Sequence, residues 1–156
     1  MNIAFFHGLE SSAISSKSVF LHNNFTAFTP AMNYYNENLF EEILKQLENK
    51  NIDLLVGSSM GGYFAFHLST FINRPTLLFN PAFVDRSFEP VVKTGTFQPQ
   101  QTIILGEFDA VIDPKKSILW IENNIMLYSN YTEPIEHRTP IEVFEKWVYK
   151  TIEEIR

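Results

Sequence analysis

With 156 residues, 45% of them hydrophobic, the chain is long enough for one globular domain, residues 1–156, around a single substantial core. Its formal net charge is −6 at pH 7 and 19% of its residues are charged, with no clustered Lys and Arg; this argues against nucleic acid and anionic membrane surfaces as partners. The chain has no cysteine, which excludes disulfides, thiolate metal sites and a cysteine nucleophile.

The opening MNIAFFHG has no basic region ahead of its short apolar run. No run approaches the roughly 18 apolar residues of a membrane span, so a cytoplasmic protein is expected. Short apolar runs at 3–6, 25–28, 52–56, 76–79, 102–105 and 125–128 have strand length. Several are apolar throughout, as strands are when both faces of a sheet are covered. Between them lie helical segments. A short one is expected over 16–22. Residues 38–50 set Leu39, Phe40, Ile43, Leu44 and Leu47 on one face, with Asn38 as N-cap. A third runs on from Met60 until Asn73-Arg74-Pro75 stops it, and a fourth spans 114–124 with proline in its first turn. In the last, ending at Ile155, Thr139 is the expected N-cap and Pro140 the first helical residue. Residues 83–100, with prolines at 90 and 99, read as a loop or broken helix rather than a second domain. This alternation predicts an α/β fold, a three-layer sandwich around a mostly parallel six-stranded sheet.

The stretch LLVGSSMGGYFAF (54–66) joins a buried strand to a buried helix through Gly57-Ser58-Ser59-Met60-Gly61. This is G-x-S-x-G, the pattern of a nucleophile elbow. Such a turn holds the central serine in a strained conformation with its hydroxyl clear of the sheet. Side chains two positions before and after it would collide with strand and helix, hence Gly57 and Gly61. The turn also sets Ser59 at a helix N-terminus, where the Met60 N–H can face an oxyanion. The plainer alternative is a glycine-rich turn into a tightly packed helix. Ser58 is the weaker candidate nucleophile because it lacks the symmetric glycines.

A serine hydroxyl needs a base, and the base an orienting carboxylate. His67 lies eight residues along the helix from Ser59, about 12 Å away, and cannot reach it. His22 is expected on a surface away from the active edge. His7 ends the first strand at the correct edge, next to Gly8 in an apparent turn, and competes with His137. His137 is preferred because it follows the last strand, in YTEPIEHRTP, where such sheets collect function. For the carboxylate, ILGEFDAVIDP (104–114) offers Glu107, Asp109 and Asp113. Asp109, just past the strand end, is preferred; Asp113 reads as the cap of the next helix and Glu107 as solvated. The order Ser59, Asp109, His137 is that of α/β-hydrolases.

Taken with HGLESSAISSK (7–17), GSSMGGYFA (57–65), NPAF (80–83) and GEFDAVID, these blocks resemble a small α/β-hydrolase, more narrowly the YqiA/YcfP-type esterases. The blocks run in register over nearly the whole chain. The resemblance implies a minimal α/β-hydrolase fold without a large cap and a hydrolase of carboxylic esters or thioesters. It implies Ser59, Asp109 and His137 as triad, with the Leu9 N–H, in the loop after His7-Gly8, as second oxyanion donor. No metal or organic cofactor is implied; the partner is a small-molecule ester or thioester. Phe83, Phe88, Phe97 and Tyr34-Tyr35 are candidates either to line a shallow pocket for short acyl groups or to pack loops onto the core. The rival readings are a non-catalytic binding scaffold of the same fold and a nucleotide-binding turn at 57–62. The latter lacks both a Lys-Ser/Thr pair and G-x-G-x-x-G spacing.

Overall fold

The computed structural model describes residues 1–156. Six strands form one sheet: β1 (Asn2–Phe6), β2 (Thr26–Phe28), β3 (Leu54–Ser58), β4 (Thr76–Phe79), β5 (Gln101–Gly106) and β6 (Tyr128–Glu133). Their order across the sheet is β2-β1-β3-β4-β5-β6, and every neighbouring pair is parallel. Five helices connect them: α1 (Ser16–Asn24), α2 (Leu39–Glu48), α3 (Met60–Ile72), α4 (Pro114–Asn124) and α5 (Ile141–Ile155).

Strand pleating divides the core into two layers. Ile3, Phe5, Leu54, Val56, Leu77, Phe79 and Ile104 pack with Phe20 and Leu21 of α1 and with Phe144, Trp147, Val148 and Ile152 of α5. Ala4, Phe6, Leu55, Leu78, Ile103 and Leu105 face the other way, against α2, α3 and Ile121 of α4. The central strands are therefore buried on both faces, which accounts for their unbroken apolar runs. Each fully buried Phe, Leu or Ile contributes about 1.5–3 kcal/mol of transfer free energy.

Three elements differ from the sequence expectation. The last strand is not residues 125–128 but Tyr128–Glu133. At the sheet edge only part of each face is covered, so YSNYTE alternates in burial and carries no apolar run. Ile125 instead caps α4, while Met126 and Leu127 are exposed. Secondly, α5 starts one residue late: Pro140 is its N-cap, its carbonyl accepting from the Phe144 N–H at 3.0 Å, and Thr139 does not cap. Thirdly, Asn38 caps α2 through its backbone, not its side chain.

Helix α3 is buried almost all round, because residues 83–100 lie along the flank that the sheet leaves open. This irregular segment is pinned there by the Gly95 N–H donating to Thr70 Oγ1 (2.7 Å), the Phe97 N–H donating to the Thr70 carbonyl (3.0 Å), and a His67 Nδ1 contact with Thr94 Oγ1 (3.0 Å). The Arg86 guanidinium sits 4.2 Å from the Tyr63 ring centre and donates to the Ala82 and Phe83 carbonyls. The segment seals a helix and forms no cap over the sheet edge.

The sheet order changes direction at β1, whose connections to β2 and from β2 to β3 pass on opposite faces. The loops leaving the C-terminal ends of β1 and β3 diverge there and open a crevice, the usual ligand position in open parallel sheets.

His67 supplies a test of the packing. Burial, with the nearby Arg86 charge, holds its imidazole down at about 4 from the usual 6.5. Between those values the unfolded chain takes up a proton that the folded protein refuses, so stability falls as pH drops from 6.5 towards 4. In urea titrations at pH 7 and pH 4.5, wild type should lose about 2 kcal/mol more than His67→Gln. Equal losses would contradict this environment for His67.

Candidate active site

Strand β3 passes into α3 through one residue. Ser59 has φ 54° and ψ −118°, a conformation costing a non-glycine residue about 1–3 kcal/mol. The surrounding backbone fixes it: the Ser59 N–H donates to the Phe79 carbonyl (2.9 Å), and its carbonyl accepts from the N–H groups of Gly62, Tyr63 and Ala82. The flanking glycines are sterically required. A Cβ on Gly57 would lie 2.3 Å from the Gly61 carbonyl oxygen, and one on Gly61 would lie 2.0 Å from that of Phe6. The neighbouring Ser58 Oγ is buried and has no hydrogen-bond partner.

Two distant loops reach this hydroxyl. In the β6–α5 loop, His137 lies with Nε2 2.9 Å from Ser59 Oγ and Nδ1 2.7 Å from Asp109 Oδ2. Asp109 comes from the β5–α4 loop; its carboxylate is 1% exposed. Its other oxygen accepts from the Val111 and Ile112 N–H groups at 2.8 and 2.9 Å. With the Nδ1 proton donated to the carboxylate, Nε2 is left to accept from the serine hydroxyl. A base so oriented can take the hydroxyl proton during attack on an electrophile.

The remaining candidates have other work. His7 is buried; its Nε2 accepts from the Met32 N–H (3.0 Å), so its protonated Nδ1 donates to the Gly8 carbonyl (2.7 Å). The buried Tyr34 hydroxyl donates to the His7 carbonyl. His7 is thereby a brace for the turn at Gly8 and Leu9, not a partner of Ser59. The N–H groups of Leu9 and Met60 have no protein acceptor. Asp113 caps α4 by accepting from the Lys115 N–H (2.9 Å), Glu107 is exposed, and His22 bonds Thr29 at the surface.

A cleft of about 680 Å³ opens over Ser59. Residues of the loop after β1, among them Gly8, Leu9 and Lys17, line it together with His137, Arg138 and Thr139. None of the candidate aromatic residues lines it. Phe83 stacks on Trp120 at 4.3 Å, Tyr34 packs edge-on to Phe64, and Phe88 pairs with Tyr35. Phe97 is held beside Thr70. Phe83 and Tyr34 are buried because apolar rings at the ends of buried elements gain more from the core than from an open crevice, whereas Tyr35 and Phe97 stay exposed. Burial and the adjacent Arg138 charge lower the Lys17 ammonium to about 8. No group of three or more His, Asp or Glu side chains is arranged to hold a metal ion.

Sequence reasoning passed over Asn80, which directly follows β4 with φ 42°. Its Oδ1 accepts from the Gly106 N–H (2.6 Å), and its Nδ2 donates to the Glu136 and His137 carbonyls (3.2 and 2.9 Å). One side chain thus ties the end of β5 to the loop carrying His137. The available signal was an Asn-Pro pair directly after a buried strand, since asparagine tolerates positive φ. Removing these bonds leaves backbone groups unpaired. Asn80→Ala should therefore lower unfolding free energy by about 1–3 kcal/mol in denaturant titrations. A change indistinguishable from zero would show that the loop is held by other means.

The fold has solved counterparts. A protein of the alpha/beta hydrolase superfamily from Xanthomonas campestris pv. campestris superposes with a TM-score of 0.69 at 17% identity, covering 98% of each chain. A thermophilic esterase from Thermogutta terrifontis gives 0.72 at 12% identity, over 99% of this chain and 90% of that one. Alpha/beta hydrolase domain-containing protein 10 from mouse gives 0.71 at 12% identity, with 99% and 90% covered. At such identities the likeness establishes the α/β-hydrolase fold, here without a large cap. No curated protein matches the sequence. Residues 2–153 match the family described as "Uncharacterised protein family (UPF0227)"; the chain belongs to this YqiA-type family, and its fold is that of the α/β-hydrolases.

Proposed function

We propose that the protein is a serine hydrolase that cleaves carboxylic esters or thioesters through an acyl-enzyme. The observation carrying this reading is the continuous hydrogen-bonded chain from Ser59 Oγ through His137 to Asp109, at 2.9 and 2.7 Å. The α/β-hydrolase fold and the esterases among its structural neighbours support it.

Ser59 Oγ attacks the substrate carbonyl as His137 Nε2 takes its proton. The charge that develops on the carbonyl oxygen faces the Leu9 and Met60 N–H groups, both free of protein acceptors. The start of α3 adds its positive dipole end at the same place. The tetrahedral intermediate collapses, the C–O or C–S bond breaks, and His137 returns the proton to the leaving alcohol or thiol. Water then attacks the acyl-enzyme, with His137 again accepting the proton, and the carboxylic acid departs from a regenerated serine. Asp109 holds the imidazole in the productive tautomer and offsets its positive charge in both halves. The open cleft, with no apolar lid over it, favours short acyl groups over long chains.

A fluorophosphonate probe should label the wild-type protein at Ser59 and leave Ser59→Ala unlabelled. On p-nitrophenyl acetate, Ser59→Ala should lose on the order of 10³–10⁶ in kcat, and Asp109→Asn on the order of 10⁴. Persistent labelling in Ser59→Ala would remove Ser59 as nucleophile. A p-nitrophenyl ester series in which palmitate is turned over faster than butyrate would contradict the reading of the cleft.

A further inference from the structure

The cleft over Ser59 has an unexpected charge. In a protein of net charge −6, its walls carry two cations, Lys17 and Arg138. Neither forms a salt bridge or a side-chain hydrogen bond within the protein. Lys17 is half-buried, its ammonium 5.7 Å from the centre of the fully buried Phe144 ring. Glu10 is the one carboxylate on the cleft wall, and it is exposed.

Two cations that repel each other, one of them partly desolvated, are an unfavourable arrangement without an anion between them. That cost is visible in the lowered Lys17 ammonium, whose burial and neighbour Arg138 both disfavour its charge. Their placement is also specific. Lys17 lies in the first turn of α1, beyond the loop that offers the Leu9 N–H, and Arg138 directly follows His137. Both line the cleft that opens over Ser59, near enough for the Arg138 charge to act on Lys17. Ser11 and Ser16 add exposed hydroxyls to the same lining.

We infer that Lys17 and Arg138 form a subsite for an oxyanion, a carboxylate or phosphate carried by the substrate, so that this hydrolase selects anionic esters. This rests on the proposed acyl transfer at Ser59 and adds the substrate class. A charge-assisted contact in a partly dry cleft is worth about tenfold or more in affinity.

The test compares matched pairs of esters. Mono-p-nitrophenyl glutarate places a carboxylate on the acyl side and is set against p-nitrophenyl valerate. The 4-acetoxybenzoate anion places it on the leaving group and is set against phenyl acetate. In wild type at least one anionic ester should exceed its neutral counterpart in kcat/KM by about tenfold, and that pair identifies the side. The ratio should fall towards one in Lys17→Met combined with Arg138→Gln, and stay at the wild-type value in Lys45→Met, on the other face of the sheet. A ratio near one in wild type for both pairs, or one that survives the double change, overturns the subsite.

A second measurement is independent of catalysis. In titration calorimetry, Ser59→Ala should bind glutarate or inorganic phosphate, the tighter of the two naming the natural anion, and the double change should abolish binding. Binding undiminished by the double change, or no binding of either anion, overturns the inference. Anion binding to a protein that neither hydrolyses esters nor takes the fluorophosphonate would sustain the subsite and remove the serine hydrolase.

Discussion

The close approach of β3, α3 and the end of β1 governs this molecule. Within five residues the chain leaves a buried strand, turns through Ser59 at positive φ and enters a buried helix. No side chain fits at positions 57 and 61, where carbonyl oxygens lie 2.3 and 2.0 Å from a would-be Cβ. The strain at Ser59 persists because four backbone hydrogen bonds, shared with Phe79, Gly62, Tyr63 and Ala82, over-determine it. The same contact sets β1 beside the turn, so the loop after His7 faces the hydroxyl.

Once that turn is made, the site is assembled from strand ends. Parallel strands all terminate on one rim, and β1, β3, β5 and β6 each deliver one component there: the Leu9 turn, Ser59, Asp109 and His137. Loops alone would place such groups loosely. Here polar side chains brace them: Asn80 ties the histidine loop to β5, and His7 fixes the Gly8-Leu9 turn from below. The small size of the protein has a consequence for the cleft. Residues 83–100 are spent on sealing α3, so no apolar lid covers Ser59. The cleft stays open, with Lys17 and Arg138 among the residues that line it.

Much of this was legible in the sequence because the responsible constraints are local. G-x-S-x-G between two apolar runs follows from steric needs within five residues, and continuous apolar runs follow from burial on both sheet faces. Asp113-Pro114 was readable as a helix start for the same reason, and that left Asp109 for the site. What escaped depended on distance. The edge strand Tyr128–Glu133 has no apolar run because α5 and the solvent divide its neighbourhood between them. The role of Asn80 depends on contacts 26, 56 and 57 residues away, which no local pattern encodes. The loop aromatics were ambiguous because a ring after a strand can face either cleft or core, and only the packing of Phe83 on Trp120 decides. Lys17 and Arg138, near opposite ends of the chain, become a pair only when the crevice brings them together.

The central claim is that Ser59 becomes covalently acylated during turnover. The most direct measurement is the intact-protein mass of His137→Ala after exposure to p-nitrophenyl butyrate, since a weakened base should leave any acyl-enzyme long-lived. The account predicts a mass gain of one butyryl group mapping to the peptide that contains Ser59, and none in a Ser59→Ala background. Release of p-nitrophenol at the wild-type rate from Ser59→Ala, with no adduct in either protein, would contradict it.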